Sequence, residues 1–187
     1  MKNKLTKLEF KWICYDMGNS AFILLVATIL PIYFNYLSSS QGVAEHNYLS
    51  YWSYAASLST LIVALAGPIL GTLADYKDHK KKIFLTCAML GALALACFWI
   101  PSSWFAFLVL FIAAKVAYSL SLIVYDSMLT DITTEERMDA VSSKGYAWGY
   151  IASVVPFIIS LIFVLMYDKI GMTLKTCLLY TSDAADE

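Results

Sequence analysis

Charge is what this chain has least of. Asp, Glu, Lys and Arg make up 14% of its 187 residues, where a soluble domain carries about 25%. A water-soluble globular fold is thereby excluded. Histidine is scarcer still: His46 and His79 fall in loops on opposite sides of the expected membrane, so no Ser-His or Cys-His arrangement can form. The four cysteines, Cys14, Cys87, Cys97 and Cys177, have neither metal nor redox spacing, and three lie in or beside apolar runs. They read as buried, inert thiols. With no metal-ligand cluster either, the chain is not expected to be an enzyme, to hold a metal or cofactor, or to bind nucleic acid. The net charge of −1 says little about partners.

What remains is apolar. Hydrophobic residues account for 60% of the chain, and the mean hydropathy is +0.67. About 20 apolar residues cross a hydrocarbon core of roughly 30 Å. Five stretches qualify, at about residues 17–37, 52–74, 83–100, 104–125 and 145–167; at 1.5 Å per residue each is about 27 to 35 Å long. The fold class is therefore all-α integral membrane, with five transmembrane helices. The basic start resembles a signal peptide, but the apolar part is too long and no small-residue cleavage site follows. Between spans, residues 38–50 are polar without Lys or Arg, and Pro101-Ser102-Ser103 makes a tight turn. Residues 126–144 form a polar loop in which Thr133 and Glu136 have capping-box spacing, predicting a short surface helix.

Basic residues set the orientation. A cytoplasmic N-terminus puts Lys2, Lys4, Lys7, Lys11, Lys77, Lys80, Lys81, Lys82, Arg137 and Lys144 on that side, with only Lys169 and Lys175 opposite. Ten against two is a strong positive-inside signal. Trp12, Trp52, Trp99 and Trp104 lie near span ends, where interfacial aromatics belong. The last stretch, Cys-Leu-Leu-Tyr-Thr-Ser-Asp-Ala-Ala-Asp-Glu at 177–187, continues no span and resembles the translation of a transposase sequencing adapter. The expectation is a native segment 1–176 with 13 basic and 11 acidic residues, followed by a non-native tail.

Against this apolar background a few polar groups stand out. Lys115 sits eleven residues after Trp104 and ten before Tyr125, at mid-span. A central lysine costs roughly 2.5 to 3.5 kcal/mol on insertion scales, and such residues usually face a cavity or a partner. It shares a helix face with Tyr118, Ser119, Leu122 and Asp126. About 16 Å of helix on either side argues against snorkelling; pairing with a carboxylate for packing is the alternative to a cavity-facing role. On the first span Asp16, Asn19 and Ser20 share a face at i, i+3 and i+4. Asp16 reads equally as an interfacial carboxylate favouring the helix start or as a pathway group. Gly67 and Gly71, and Gly145 and Gly149, are each four apart, a spacing that lets helices approach closely. Asp75 closes an apolar run at a helix C-terminus, where the dipole favours cations, so a specific partner is expected.

These residues carry a resemblance. Gly71-x-Leu73-Ala74-Asp75-x-x-Asp78-His79-Lys80 is similar to the signature loop between helices two and three of the major facilitator superfamily, with Asp78 where glycine is usual and His79 where arginine is usual. Trp12-Ile-Cys-Tyr15-Asp16-Met-Gly18-Asn19-Ser20-Ala21-Phe22, with Pro31-x-Tyr33-Phe34, resembles the opening of the vacuole-effluxer branch. Tyr125-Asp126-x-x-Leu129-x-Asp131-Ile132 and Ser142-Ser143-Lys144-Gly145-Tyr146-Ala147-x-Gly149-Tyr150 resemble its exit from helix four and entry to helix five.

The resemblance implies a twelve-helix fold in two halves, built from inverted three-helix repeats, with solute held near the midplane. This chain would then be most of the N-terminal half, and a missing C-terminal half its partner. Helices one and four line the cavity in that family, matching the spans that hold the awkward polar groups. The implied activity is secondary active transport of small solutes, with amino acids as the suggested class and proton coupling. The implied pathway residues are Asp16, Asn19, Ser20, Lys115, Tyr118, Ser119 and Asp126. Gly71, Asp75, Lys80, Lys81 and Arg137 would form a cytoplasmic latch. A prokaryotic plasma membrane is preferred over a vacuolar one. The alternative is a five-span scaffold or channel subunit acting as an oligomer, which a reading frame continuing past Thr176 would exclude.

Overall fold

A computed structural model describes residues 5–76, 79–100 and 103–170. Among them every regular element is helical: α1 (Lys7–Ser40), α2 (Glu45–Ala74), α3 (Lys80–Ala96), a 3-10 turn (Cys97–Trp99), α4 (Trp104–Ser127), α5 (Leu129–Ile132) and α6 (Glu135–Ile170). Four helices are long and apolar enough to cross a membrane. The 17 residues of α3, lengthened by the 3-10 turn, reach about 31 Å, a fifth crossing. The chain is a multi-pass integral membrane protein. Pro31, Pro68 and Pro156 all lie inside continuous helices.

Local chemistry explains the ends of α1. At its start, the Thr6 backbone N–H donates to Glu9 Oε2 (2.7 Å) and the Glu9 N–H donates to Thr6 Oγ1 (3.2 Å), a reciprocal capping box. At its end, Val43 N–H reaches Ser38 O and Gly42 N–H reaches Ser39 O, each 3.1 Å. This is a Schellman closure, and it needs a left-handed residue; Gly42 supplies it with φ 77°.

The chain divides into two compact units, Met1–Leu30 with Leu129–Glu187, and Pro31–Met128. In the first, α6 lies against the N-terminal part of α1. A Cβ on Gly145 would sit 2.9 Å from Trp12 Cζ3, and one on Gly149 would sit 2.5 Å from Ser20 Oγ. Trp12, Asp16 and Ser20 recur at i, i+4 and i+8, so one face of α1 meets the glycine stripe. In the second unit α4 is central, packing on both α2 and α3. Its core is aromatic. Phe34 and Phe107 are fully buried and Phe98 and Phe111 nearly so; Trp52 stacks on Phe111 with centroids 4.2 Å apart.

Outward faces stay apolar. Leu58, Leu61, Ile62, Leu65, Ile69 and Leu73 line one exposed side of α2. At about 1.5 to 3 kcal/mol per side chain, leaving this stripe in water would forfeit on the order of 10 kcal/mol. That equals a typical domain's whole stability, about 5–15 kcal/mol, so the stripe must be covered by lipid or by another apolar protein surface.

The structure corrects the reading of residues 126–144 as a polar loop with a separate surface helix. After the single turn of α5, α6 begins at Glu135 and runs unbroken to Ile170. Nor does Thr133 cap Glu136: its hydroxyl donates to Glu9 Oε1 instead. The helices that hold the predicted first, second and fifth spans likewise begin ahead of the apolar segments, at Lys7, Glu45 and Glu135. The turn at Pro101-Ser102 and the tail at 177–187 lie outside the described residues.

The glycine contacts make opposite predictions. Gly149→Ala should destabilise the protein by about 1–3 kcal/mol through overpacking, and Ser20→Ala in the same chain should recover most of that. A Cβ on Gly71 meets nothing within 4 Å, so Gly71→Ala should stabilise by about 0.5–1 kcal/mol through backbone entropy. Unfolding in detergent reads all three.

Candidate functional site

The strongest polar constellation lies where α1 begins and α6 begins. Glu9 is only 1% exposed, and it is an anion. Its two oxygens accept four hydrogen bonds. Thr133 Oγ1 (2.8 Å) and Arg137 Nε (3.1 Å) donate to Oε1, while Arg137 Nη2 (2.8 Å) and the Thr6 N–H (2.7 Å) donate to Oε2. A carboxylate has about four lone-pair sites, so none is left over. Burial pushes the Glu9 carboxyl up, but the Thr6, Thr133 and Arg137 hydrogen bonds and the Arg137 charge outweigh it and hold the group below the usual 4.5. With Asp131, Ile132 and Thr134, these residues line an open pocket of about 320 Å³. Glu9 was not singled out from sequence; the Thr6-x-x-Glu9 spacing was the available signal.

Lys115 is the opposite case. Among the described residues of its unit no carboxylate pairs with it. Its ammonium lies 3.5 Å from the Ala56 carbonyl oxygen of α2 and 5.9 Å from the Phe111 ring centre. The Ala56 carbonyl also accepts the Thr60 hydroxyl at 3.0 Å. A hydrogen bond at the distance limit and a cation–π contact at the edge of its range, worth about 0.5–1 kcal/mol at exposed sites, fall short of the roughly 2.5–3.5 kcal/mol cost of a central lysine. Lys115 is thus half-buried and under-compensated. Along the same face Tyr118, Ser119 and Leu122 are half-buried and Asp126 is exposed. The stripe is not sealed into the core, although Tyr118 brings its backbone N within 3.6 Å of a Cβ placed on Gly91.

The first-span residues fall in the other unit. Asn19 is buried, and Asp16 and Ser20 are half-buried against α6. Asp16 Oδ2 is 3.1 Å from a Cβ built on Gly145. The latch residues are also spread over the chain. Asp75 is the exposed C-cap of α2, and its N–H closes on Gly71 O at 3.2 Å. Lys80 Nζ donates to Ser127 O at 3.3 Å, placing a cation on the carbonyl end of α4, where the dipole favours it. Lys81 is exposed. Arg137 is engaged by Glu9, with its side chain 37% exposed.

Comparison with known proteins adds three findings. The family described as vacuole effluxer Atg22 like matches residues 6–182. A curated relative, "Uncharacterized MFS-type transporter YxiO" of Bacillus subtilis (strain 168), is 38% identical over 170 residues, covering 89% of this chain and 40% of the relative; the chain therefore spans about 40% of the length of the relative it matches. No solved structure matches.

Glu9→Gln should lower stability by about 1–3 kcal/mol, the range for hydrogen bonds to charged groups after allowing for Arg137's exposure. Arg137→Lys should retain only part of that contribution, because an ammonium cannot reproduce the two-pronged contact. The folded carboxyl titrates below 4.5, so the contribution is complete above that pH and disappears as pH falls through the lower folded value. Unfolding curves from pH 7 downward should show a loss in the parent protein that Glu9→Gln lacks.

Proposed function

Because this chain belongs to the vacuole effluxer Atg22 like family, we propose that it forms part of a secondary active transporter of small solutes. The solute class is amino acids, the mechanism is alternating access, and the driving force is a proton gradient across a prokaryotic plasma membrane. The observation that carries this is Lys115, a cation at mid-helix held by one 3.5 Å contact to a backbone carbonyl. Such a group has capacity to spare for an anion, and the carboxylate of an amino acid has the charge and geometry to use it. Tyr118, Ser119 and Asp126 continue the polar stripe toward the basic loops; Asp16, Asn19 and Ser20 supply polar groups on the first span. A carboxylate among them that gains or loses a proton changes which anion Lys115 attracts, and so couples the two fluxes.

In the same reading Gly71, Asp75, Lys80, Lys81 and Arg137 form a cytoplasmic latch that closes against the remainder of the protein. Asp75 fits this role because its position at the C-cap is electrostatically unfavourable and its side chain is exposed. No observation favours the five-span scaffold.

Lys115→Met in the complete gene product should abolish transport of labelled amino acids by vesicles under an imposed pH gradient, with insertion and expression unchanged. Lys115→Arg should retain part. Full transport by Lys115→Met would overturn the proposal.

A further inference from the structure

Buried hydroxyls in the unit 31–128 fall into two kinds. Ser38, Ser59 and Ser121 are at most 1% exposed, and each donates to a carbonyl of its own helix, Asn35 O (3.0 Å), Ala55 O (2.7 Å) and Tyr118 O (2.7 Å). A serine can bond back in this way because its hydroxyl lies close to the backbone. Tyr33 cannot, since its ring carries the hydroxyl far from its own helix. It is 4% exposed, and its hydroxyl is the buried side-chain oxygen or nitrogen without a hydrogen-bond partner among the described residues. An unmade hydrogen bond of this kind costs about 1–3 kcal/mol. Phenylalanine would fill the same space without that penalty.

The location of Tyr33 indicates what its partner is. Its ring meets Phe107 edge-on, with centroids 5.3 Å apart. Phe107, Phe111 and Lys115 recur at i, i+4 and i+8 on α4, hence on one face. Lys115 approaches the Phe111 ring. Phe107, which meets the Tyr33 ring, and Lys115 are about 12 Å apart along the axis of α4, so Tyr33 and the under-compensated ammonium flank one line of aromatic rings. Two unfavourable polar groups at the ends of one aromatic track are hard to ascribe to packing.

We infer that Tyr33 is a second polar station of the solute pathway, at the end away from the basic loops, where its hydroxyl donates a hydrogen bond to an oxygen of the passing solute or its hydration water. The inference rests on the proposed role of Lys115 but is tested without using transport. In the complete gene product with its native cysteines replaced by alanine, the Tyr33→Cys and Ser59→Cys variants are exposed to a membrane-impermeant quaternary-ammonium methanethiosulfonate. The reagent is added on the side opposite the basic loops. Tyr33→Cys should react at least about tenfold faster than Ser59→Cys, whose position is buried and served by its own helix. Tyr33→Phe should leave the melting temperature unchanged or raise it. Equal, negligible labelling of both cysteine variants would overturn the inference. A lowered melting temperature in Tyr33→Phe would overturn it as well, because the hydroxyl would then hold a structural bond. Transport by Lys115→Met tests the earlier proposal alone, so failure of that proposal and failure of this inference are told apart.

Discussion

Hydrocarbon offers a polar group no partner, and this one constraint orders the whole structure. Every described backbone segment in the apolar stretches is helical because only a helix satisfies its own N–H and C=O groups there. The same constraint reaches the side chains. Thr28 donates to Leu24 O at 2.6 Å and Ser153 to Tyr150 O at 2.9 Å, so small hydroxyls bond back to the helix that carries them. A chain that handles its small polar groups this consistently makes the exceptions informative. Lys115 and Tyr33 are too long to bond back, and neither is fully served by its surroundings.

Compensation separates the well-served charges from the poorly served one. Glu9 is more deeply buried than Lys115, yet its four acceptor sites meet four donors. It is spent as a clamp, tying the start of α1 to the start of α6. Lys80 is similar: it opens α3, where the dipole disfavours cations, but reaches the carbonyl end of α4, where the dipole favours them. The charge nearest mid-membrane has the weakest contact of the three. Burial alone would have ranked Glu9 first as a functional candidate; the count of donors reverses that order.

How much of this was legible depends on the range of the interaction. Apolar runs and the C-terminal end of α2 at Ala74 follow from local composition, and Lys115 was conspicuous because a charge in such a run has few explanations. The close approach at Gly145 and Gly149 was legible from spacing, whereas the same spacing at Gly67 and Gly71 is half used: Gly67 meets Ile123 and Gly71 meets open space. Two Thr-x-x-Glu patterns were present, and local spacing could not rank them. Thr6 uses Glu9 to cap α1, while Thr133 gives its hydroxyl to a residue 124 positions away. Glu9 was missed because an acid in a basic N-terminal segment reads as surface until its partners are placed. Tyr33, named only as part of the Pro31-x-Tyr33-Phe34 stretch, drew no role of its own for a different reason: an aromatic in an apolar run looks like core, and its ring is core. Only the hydroxyl is out of place.

The glycine stripe on α6 bears on Asp16 in a way neither of its sequence readings contained. Asp16 lies in a helix–helix contact, as a packing residue would, but the surface it meets is glycine. Gly145 carries no side chain to donate to the carboxylate or cover it, and Asp16 makes no hydrogen bond within its unit among the described residues. Close packing and accessibility are therefore compatible here: the backbones of α1 and α6 come together because residue 145 is glycine, and the acid stays half-exposed for the same reason. A larger residue at 145 would push against Trp12 first, at 2.9 Å, and against the carboxylate next, at 3.1 Å. The position thus governs the spacing of α1 and α6 and the exposure of the Asp16 carboxylate together.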